Sequence, residues 1–96
     1  MAKEKFTRSF PGRSPQEIYE ATRRILDEIA SRHSLRHETD AAKFSGTMAR
    51  MGANGRYQVT GEKLEIELEF GLLVPGPISK RVADEVNGRL DGLFAG

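Results

Sequence analysis

The alternation of apolar and charged positions is cleanest in "KLEIELEF", Lys63–Phe70, where Leu64, Ile66, Leu68 and Phe70 share one parity and Glu65, Glu67 and Glu69 the other. Successive side chains of a strand point to opposite faces, so this pattern predicts a half-buried β-strand. The same period runs through "KFTRSF", Lys5–Phe10, with Phe6 and Phe10 on one face and Thr7 and Ser9 on the other. Arg8 shares the parity of the phenylalanines, which predicts an edge strand or a bend. Shorter segments of strand character follow at "LRHE" (Leu35–Glu38), "KFSGTM" (Lys43–Met48) and "RYQVT" (Arg56–Thr60). The connections between them are "TDAA", "MGANG" and "GE"; the Asn-Gly pair in the second suits the positive φ of a tight hairpin turn.

Elsewhere the period lengthens to that of a helix. In "SPQEIYEATRRILDEIA", Ser14 is placed to cap free N–H groups, Pro15 fits the first helical position, and Glu17 completes a capping box. Ile18, Thr22, Ile25, Ile29 and Ala30 make the apolar stripe, broadened by Tyr19, Ala21 and Leu26, and the helix ends near His33 or Ser34. Gly76-Pro77 opens a second helix with the stripe Ile78, Val82, Val86, Leu90 and Leu93, and with Phe94 beside it. Gly88 and Gly92 lie inside that helix, each costing about 1 kcal/mol against alanine. Their spacing leaves a strip where another backbone can approach; the plainer reading is a helix that frays late.

Two one-sided helices and a sheet with one apolar face predict a single α+β domain over residues 1–96. It is a two-layer arrangement with an antiparallel sheet of four to five strands and two long helices on one face, in the order β-α-β-β-β-(β)-α. The expected core is Phe6, Phe44, Tyr57 or Val59, and the Leu64–Phe70 row. The opposite sheet face is expected to be charged and solvated.

Fifteen basic residues against fourteen acidic ones leave a net charge of +1, which points to neither nucleic acid nor an anionic membrane as partner. The acidic strand face also lacks the aromatic pair on which bases stack. Cysteine is absent, so a disulfide framework and Cys-based metal sites are excluded. The charged start "MAKEKFTRSF" has no signal-peptide core and no run reaches a membrane span, so a cytoplasmic location is expected.

Candidate chemistry is sparse. Glu65, Glu67 and Glu69 stand along one strand face at intervals of about 6.5–7 Å, and cross-strand ion pairs with Arg56, Arg50, Lys43 or Arg8 explain them better than acid–base catalysis does. His33 and His37 have the four-residue spacing of a helical metal pair, but Ser34 and Leu35 break the helix between them. "RHSLRHE" then reads as a basic helix end complementing the helix dipole. No nucleophile or phosphate-loop motif is present, so no catalytic, metal or cofactor residue is assigned and an enzyme is not expected. The remaining feature is "GLLVPGP", where Leu72, Leu73 and Val74 stand in what reads as a connector. They either tuck under the second helix or form an apolar contact patch with Phe94 and Leu93, or with Met48 and Met51.

From Gly46 to Leu93 the chain resembles the small bacterial family of polyhydroxyalkanoic acid system proteins. The residues that carry the likeness are "FSGTMARMGANGRYQVTGEKLEIELEFGLL", the Pro-Gly-Pro-Ile helix start and "NGRLDGLF", with Phe70-Gly71-Leu72-Leu73 and Leu90-Asp91 at the family's characteristic positions. Phe70 stands where leucine is usual, and "PGRSP" lacks a histidine associated with that turn. The N-terminal strand and first helix fit more loosely. The resemblance implies a non-enzymatic accessory of the storage-polyester system, with a polyhydroxyalkanoate granule or granule protein as partner. It carries no catalytic residue to this chain. On this basis Leu72, Leu73, Val74 and Phe94 are the expected apolar contact. Two other readings stay open: a small module binding an acyl ligand between helices and sheet, and a structural homodimer paired through the Gly88/Gly92 strip or an exposed strand.

Overall fold

In the computed structural model, which describes residues 2–50, 52–71 and 76–94, seven elements follow in the order β1 (Ala2–Ser9), α1 (Pro15–Arg32), β2 (Arg36–Asp40), β3 (Ser45–Arg50), β4 (Ala53–Thr60), β5 (Lys63–Phe70) and α2 (Gly76–Asp91). The five strands form one open antiparallel sheet in the order β1-β5-β4-β3-β2. Strands β2 to β5 are a simple meander, and β1 returns from the start of the chain to pair with β5, Ala2 opposite Phe70 and Ser9 opposite Lys63. The fold is therefore the expected α+β arrangement, with five strands and both helices on the apolar face. Among the described residues no helix is long and apolar enough to cross a membrane.

Local chemistry explains where the elements start and stop. Ser14 accepts a hydrogen bond from the Glu17 N–H while the Glu17 carboxylate accepts one from the Ser14 N–H, so two otherwise orphaned donors are satisfied. At the other end of α1, Ser34 takes a positive φ of 57° and the Leu35 N–H bonds back to the Ala30 carbonyl at 2.8 Å. The β3–β4 turn is made by Gly52, at φ 85°, rather than by Asn54-Gly55, which lie within β4. Gly55 is there for space: a methyl group built on it would stand 3.0 Å from Leu68 and 3.2 Å from Met48.

The core lies between the sheet and the helices. Ile18, Tyr19, Leu26 and Ile29 of α1 pack over Tyr57, Val59, Leu64, Ile66 and Leu68, with Phe6 and Phe44 partly buried at the margins. Met48, one of the alternative members of the apolar patch, is also core. In α2 the buried stripe is Ser79, Ala83, Val86 and Leu90 rather than one that begins at Ile78. The Ser79 hydroxyl donates to the Gly76 carbonyl at 2.9 Å, so this polar residue faces inward already satisfied. Ile78 is turned out and is 50% exposed.

Candidate functional site

Strand pairing aligns the polar face of the sheet into transverse rows. One row reads Lys5, Glu67, Arg56, Thr47, Glu38 from β1 to β2, each residue directly opposite the next. Glu67 is its hub, with Lys3 Nζ at 3.3 Å and an Arg56 nitrogen at 3.0 Å on the same carboxylate oxygen. Burial opposes ionisation of Glu67, but the Lys3 hydrogen bond and the Arg56 charge prevail and hold its pKa below the usual value. That is the wrong direction for a proton donor at neutral pH. A shallow groove of about 600 Å³ runs over this row, bounded by Lys5 on one side and by Glu38–Asp40 and Lys43 on the other. Of the expected cross-strand partners Arg56 is in place. Arg50 instead donates to the His33 carbonyl at 2.9 Å, and Arg8 bonds Asp91 at 2.6 Å and Asn87, both on α2. Lys3 lies before the alternating segment, and periodicity did not single it out.

A second constellation had no signal in the sequence. His37, on β2, places Nε2 2.8 Å from the Tyr57 hydroxyl of β4 and Nδ1 3.2 Å from the Asp27 carboxylate of α1. With Asp27 ionised, the hydrogen-bond network assigns the proton to Nδ1, which donates to Asp27, and Nε2 accepts from the phenol. This carboxylate–imidazole–hydroxyl order has the logic of a relay that activates a nucleophile. Its hydroxyl end, however, is closed. Tyr57 is 2% exposed, its ring stacks on Tyr19 with centroids 6.5 Å apart, and it lies across Gly46. Burial first, and then the neighbouring Tyr19, push the Tyr57 pKa upward, so the phenol keeps its proton. The chain of bonds opens to solvent only at Asp27, and what it does is fasten the short edge strand β2 to α1 and β4.

The two histidines do not meet at a metal. His33 Nε2 lies 2.9 Å from Glu85 of α2, a carboxylate that Arg32 also binds, whereas His37 is committed to Asp27 and Tyr57. Among the described residues no three potential ligands converge.

Of the expected apolar contact, Leu72, Leu73 and Val74 lie outside the described residues. Phe94 packs edge-on against Phe10, with ring centroids 5.3 Å apart, and the Arg13 guanidinium sits 4.3 Å above its ring. Ile78 lies in the first turn of α2 and Phe94 three residues past its end; the helix from Ile78 to Asp91 alone spans roughly 20 Å at 1.5 Å per residue. In the sequence Ile78 follows the connector, four positions after Val74. Between the helices and the sheet, Ile29, Leu35, Met48, Leu68, Val82 and Val86 enclose an apolar crevice of only about 20 Å³ over Gly55. Ligand pockets commonly measure about 300–1,000 Å³.

The model of the protein family described as "Putative polyhydroxyalkanoic acid system protein" matches residues 12–94, which take in both helices and strands β2 to β5. No curated protein and no solved structure gave a match.

Proposed function

The chain belongs to the polyhydroxyalkanoic acid system protein family, and from that premise we propose that it is a non-enzymatic accessory that docks on polyester granules through the corner between β5 and α2. The observation that carries this reading is Ile78. It is the large apolar side chain that the described residues leave most open to solvent, and it stands in the first turn of α2. A single exposed isoleucine is ordinary on a protein surface; this one follows Leu72, Leu73 and Val74 by four positions or more in the sequence, and with them it offers the apolar side chains that a surface of alkyl groups and ester carbonyls would take. The potential proton-transfer groups support a role without catalysis, because Tyr57 is sealed under α1 and Glu67 is locked in ion pairs.

The experiment is co-sedimentation with polyhydroxybutyrate particles, comparing wild type, Ile78→Ser and the triple variant Leu72→Ser/Leu73→Ser/Val74→Ser, each with a circular dichroism melt. Wild type is expected to sediment with the particles, and both variants to stay in the supernatant while keeping a cooperative melt. A wild type that remains soluble, or an Ile78→Ser variant that binds as well as wild type, overturns the reading. The crevice over Gly55 is the place for an acyl ligand only if α2 lifts from the sheet. Native mass spectrometry with a hydroxyacyl probe tests that alternative, and an unshifted mass removes it.

A further inference from the structure

Among the described residues β1 is an edge of the sheet, and its backbone alternation follows from the register. The Phe10 N–H bonds the Glu62 carbonyl at 2.8 Å, in step with the β1–β5 register. Main-chain groups alternate sides along a strand, so Glu4, Phe6 and Arg8 turn theirs toward β5, and Lys3, Lys5, Thr7 and Ser9 turn their N–H and C=O groups outward. The same reasoning from Val59 N–H to Phe44 O, carried through the β2–β3 register, leaves only His37 and Thr39 of β2 facing outward. The β1 edge is the longer template.

We propose that a second copy of this chain pairs with β1, antiparallel and about a twofold axis at Phe6, joining the two sheets into one with all helices on the same face. This inference stands apart from the granule contact, which lies on another part of the surface. Three observations select the arrangement. In the register centred on Phe6, Lys5 faces Thr7 and Lys3 faces Ser9 of the second copy, so all the outward main-chain groups are satisfied in hydrogen-bonded pairs. Lysines on an edge normally discourage pairing, but here each meets a hydroxyl residue rather than another lysine. The alternating positions are the closer, non-hydrogen-bonded pairs: Phe6 meets Phe6, and Glu4 stands opposite Arg8, whose guanidinium also bonds Asp91 and Asn87 of its own chain.

Other pairings are worse. Centring on Lys5 sets Lys5 against Lys5. Centring on Thr7 shortens the paired segment and strands Glu4. The equivalent twofold pairing of β2 sets Glu38 against Glu38 over five residues. Joining β1 to β2 of a neighbour with the helices on one face requires parallel strands and repeats without closing.

The test uses the full chain, which has no cysteine of its own. Wild type is expected to sediment at twice the monomer mass at high micromolar concentration. Phe6→Cys, whose Cα atoms meet at about 4.5 Å in a non-hydrogen-bonded pair, is expected to cross-link to dimer on mild oxidation, because disulfides span Cα distances of about 4.4–6.8 Å. Thr7→Cys and Glu38→Cys are expected to form no covalent dimer under the same oxidation. Thr7→Pro removes only an outward N–H, so it should keep the melt and sediment as monomer. A wild type that sediments as monomer throughout overturns the proposal, as does cross-linking through position 38 or position 7 in preference to position 6. If Phe6→Cys loses its cooperative melt, Thr7→Pro decides: a dimer there overturns the proposal and a monomer supports it.

Discussion

Gly46→Ala should be among the most damaging small substitutions in this protein. In an ordinary strand, alanine in place of glycine is stabilising by about 0.5–1 kcal/mol. At this position a methyl group would overlap the Tyr57 ring, with Cε1 at 2.6 Å and Cζ and the hydroxyl oxygen nearer still. The ring has little room to move, since Tyr19 stacks on one side and His37 holds the hydroxyl. Overpacking of this kind costs about 1–3 kcal/mol. Displacing the phenol also breaks its bond to His37, for about 1 kcal/mol more. The net loss is then about 2–3 kcal/mol, or a fall in Tm of roughly 10–20 °C for a chain of this size. Urea unfolding followed by circular dichroism measures it, and the diagnostic step is the cycle with Tyr57→Leu. Once the ring is gone the added methyl should cost less than about 0.5 kcal/mol, giving a coupling near 2 kcal/mol. Additive effects, or a Gly46→Ala variant as stable as wild type, would refute the account of Gly46 as the floor under Tyr57.

Thr22→Val should stabilise the protein by about 1 kcal/mol, because the Thr22 hydroxyl is fully buried without a hydrogen-bond partner and valine keeps its shape; a lower urea midpoint would contradict this. Ser14→Ala should cost about 1 kcal/mol through loss of the cap at the start of α1, seen as a lower Tm and faster exchange of the Glu17 amide. Acid should weaken the fold through Glu17, held down by the Ser14 N–H and Arg13, and through Glu67, where burial pulls upward but Lys3 and Arg56 win. Because both folded-state values lie below the ordinary 4.5, their contribution is present above about pH 4.5 and disappears as pH falls through the lowered values. Denaturation against pH should therefore show a flatter acid limb in Glu17→Gln and Glu67→Gln; an unchanged limb in both would count against it.

The parts of the fold that were legible are those in which one residue type has one physical use. The Ser14–Pro15–Glu17 cap, the Leu64–Phe70 alternation and the edge character signalled by Arg8 all stand in the structure as they read in the chain. Arg8 sits on the apolar face because the α2 side chains Asn87 and Asp91 receive its guanidinium there. The errors arose where size or a hydrogen bond outweighed hydropathy. Ser79 and Ala83 displaced Ile78 from the buried stripe because Ser79 satisfies its own hydroxyl. Asn54-Gly55 reads as a turn, yet Gly52 makes the turn and Gly55 makes room for Leu68 and Met48. The Asp27–His37–Tyr57 chain joins residues from three elements, and no local pattern announces it.

The return of β1 to β5 has a consequence for how the molecule is made. Strands β2 to β5 are joined by short hairpins, so their contacts are local and form early and fast. β1 is synthesised before the other six elements, yet it can pair only once Lys63 to Phe70 are made. While the chain emerges from the ribosome, Phe6 and Phe10 wait without a sheet to lie on. Closing that long loop costs entropy before any β1–β5 contact compensates for it. Docking of the N-terminal strand thus closes one side of a four-stranded meander and converts β5 from an edge into an interior strand.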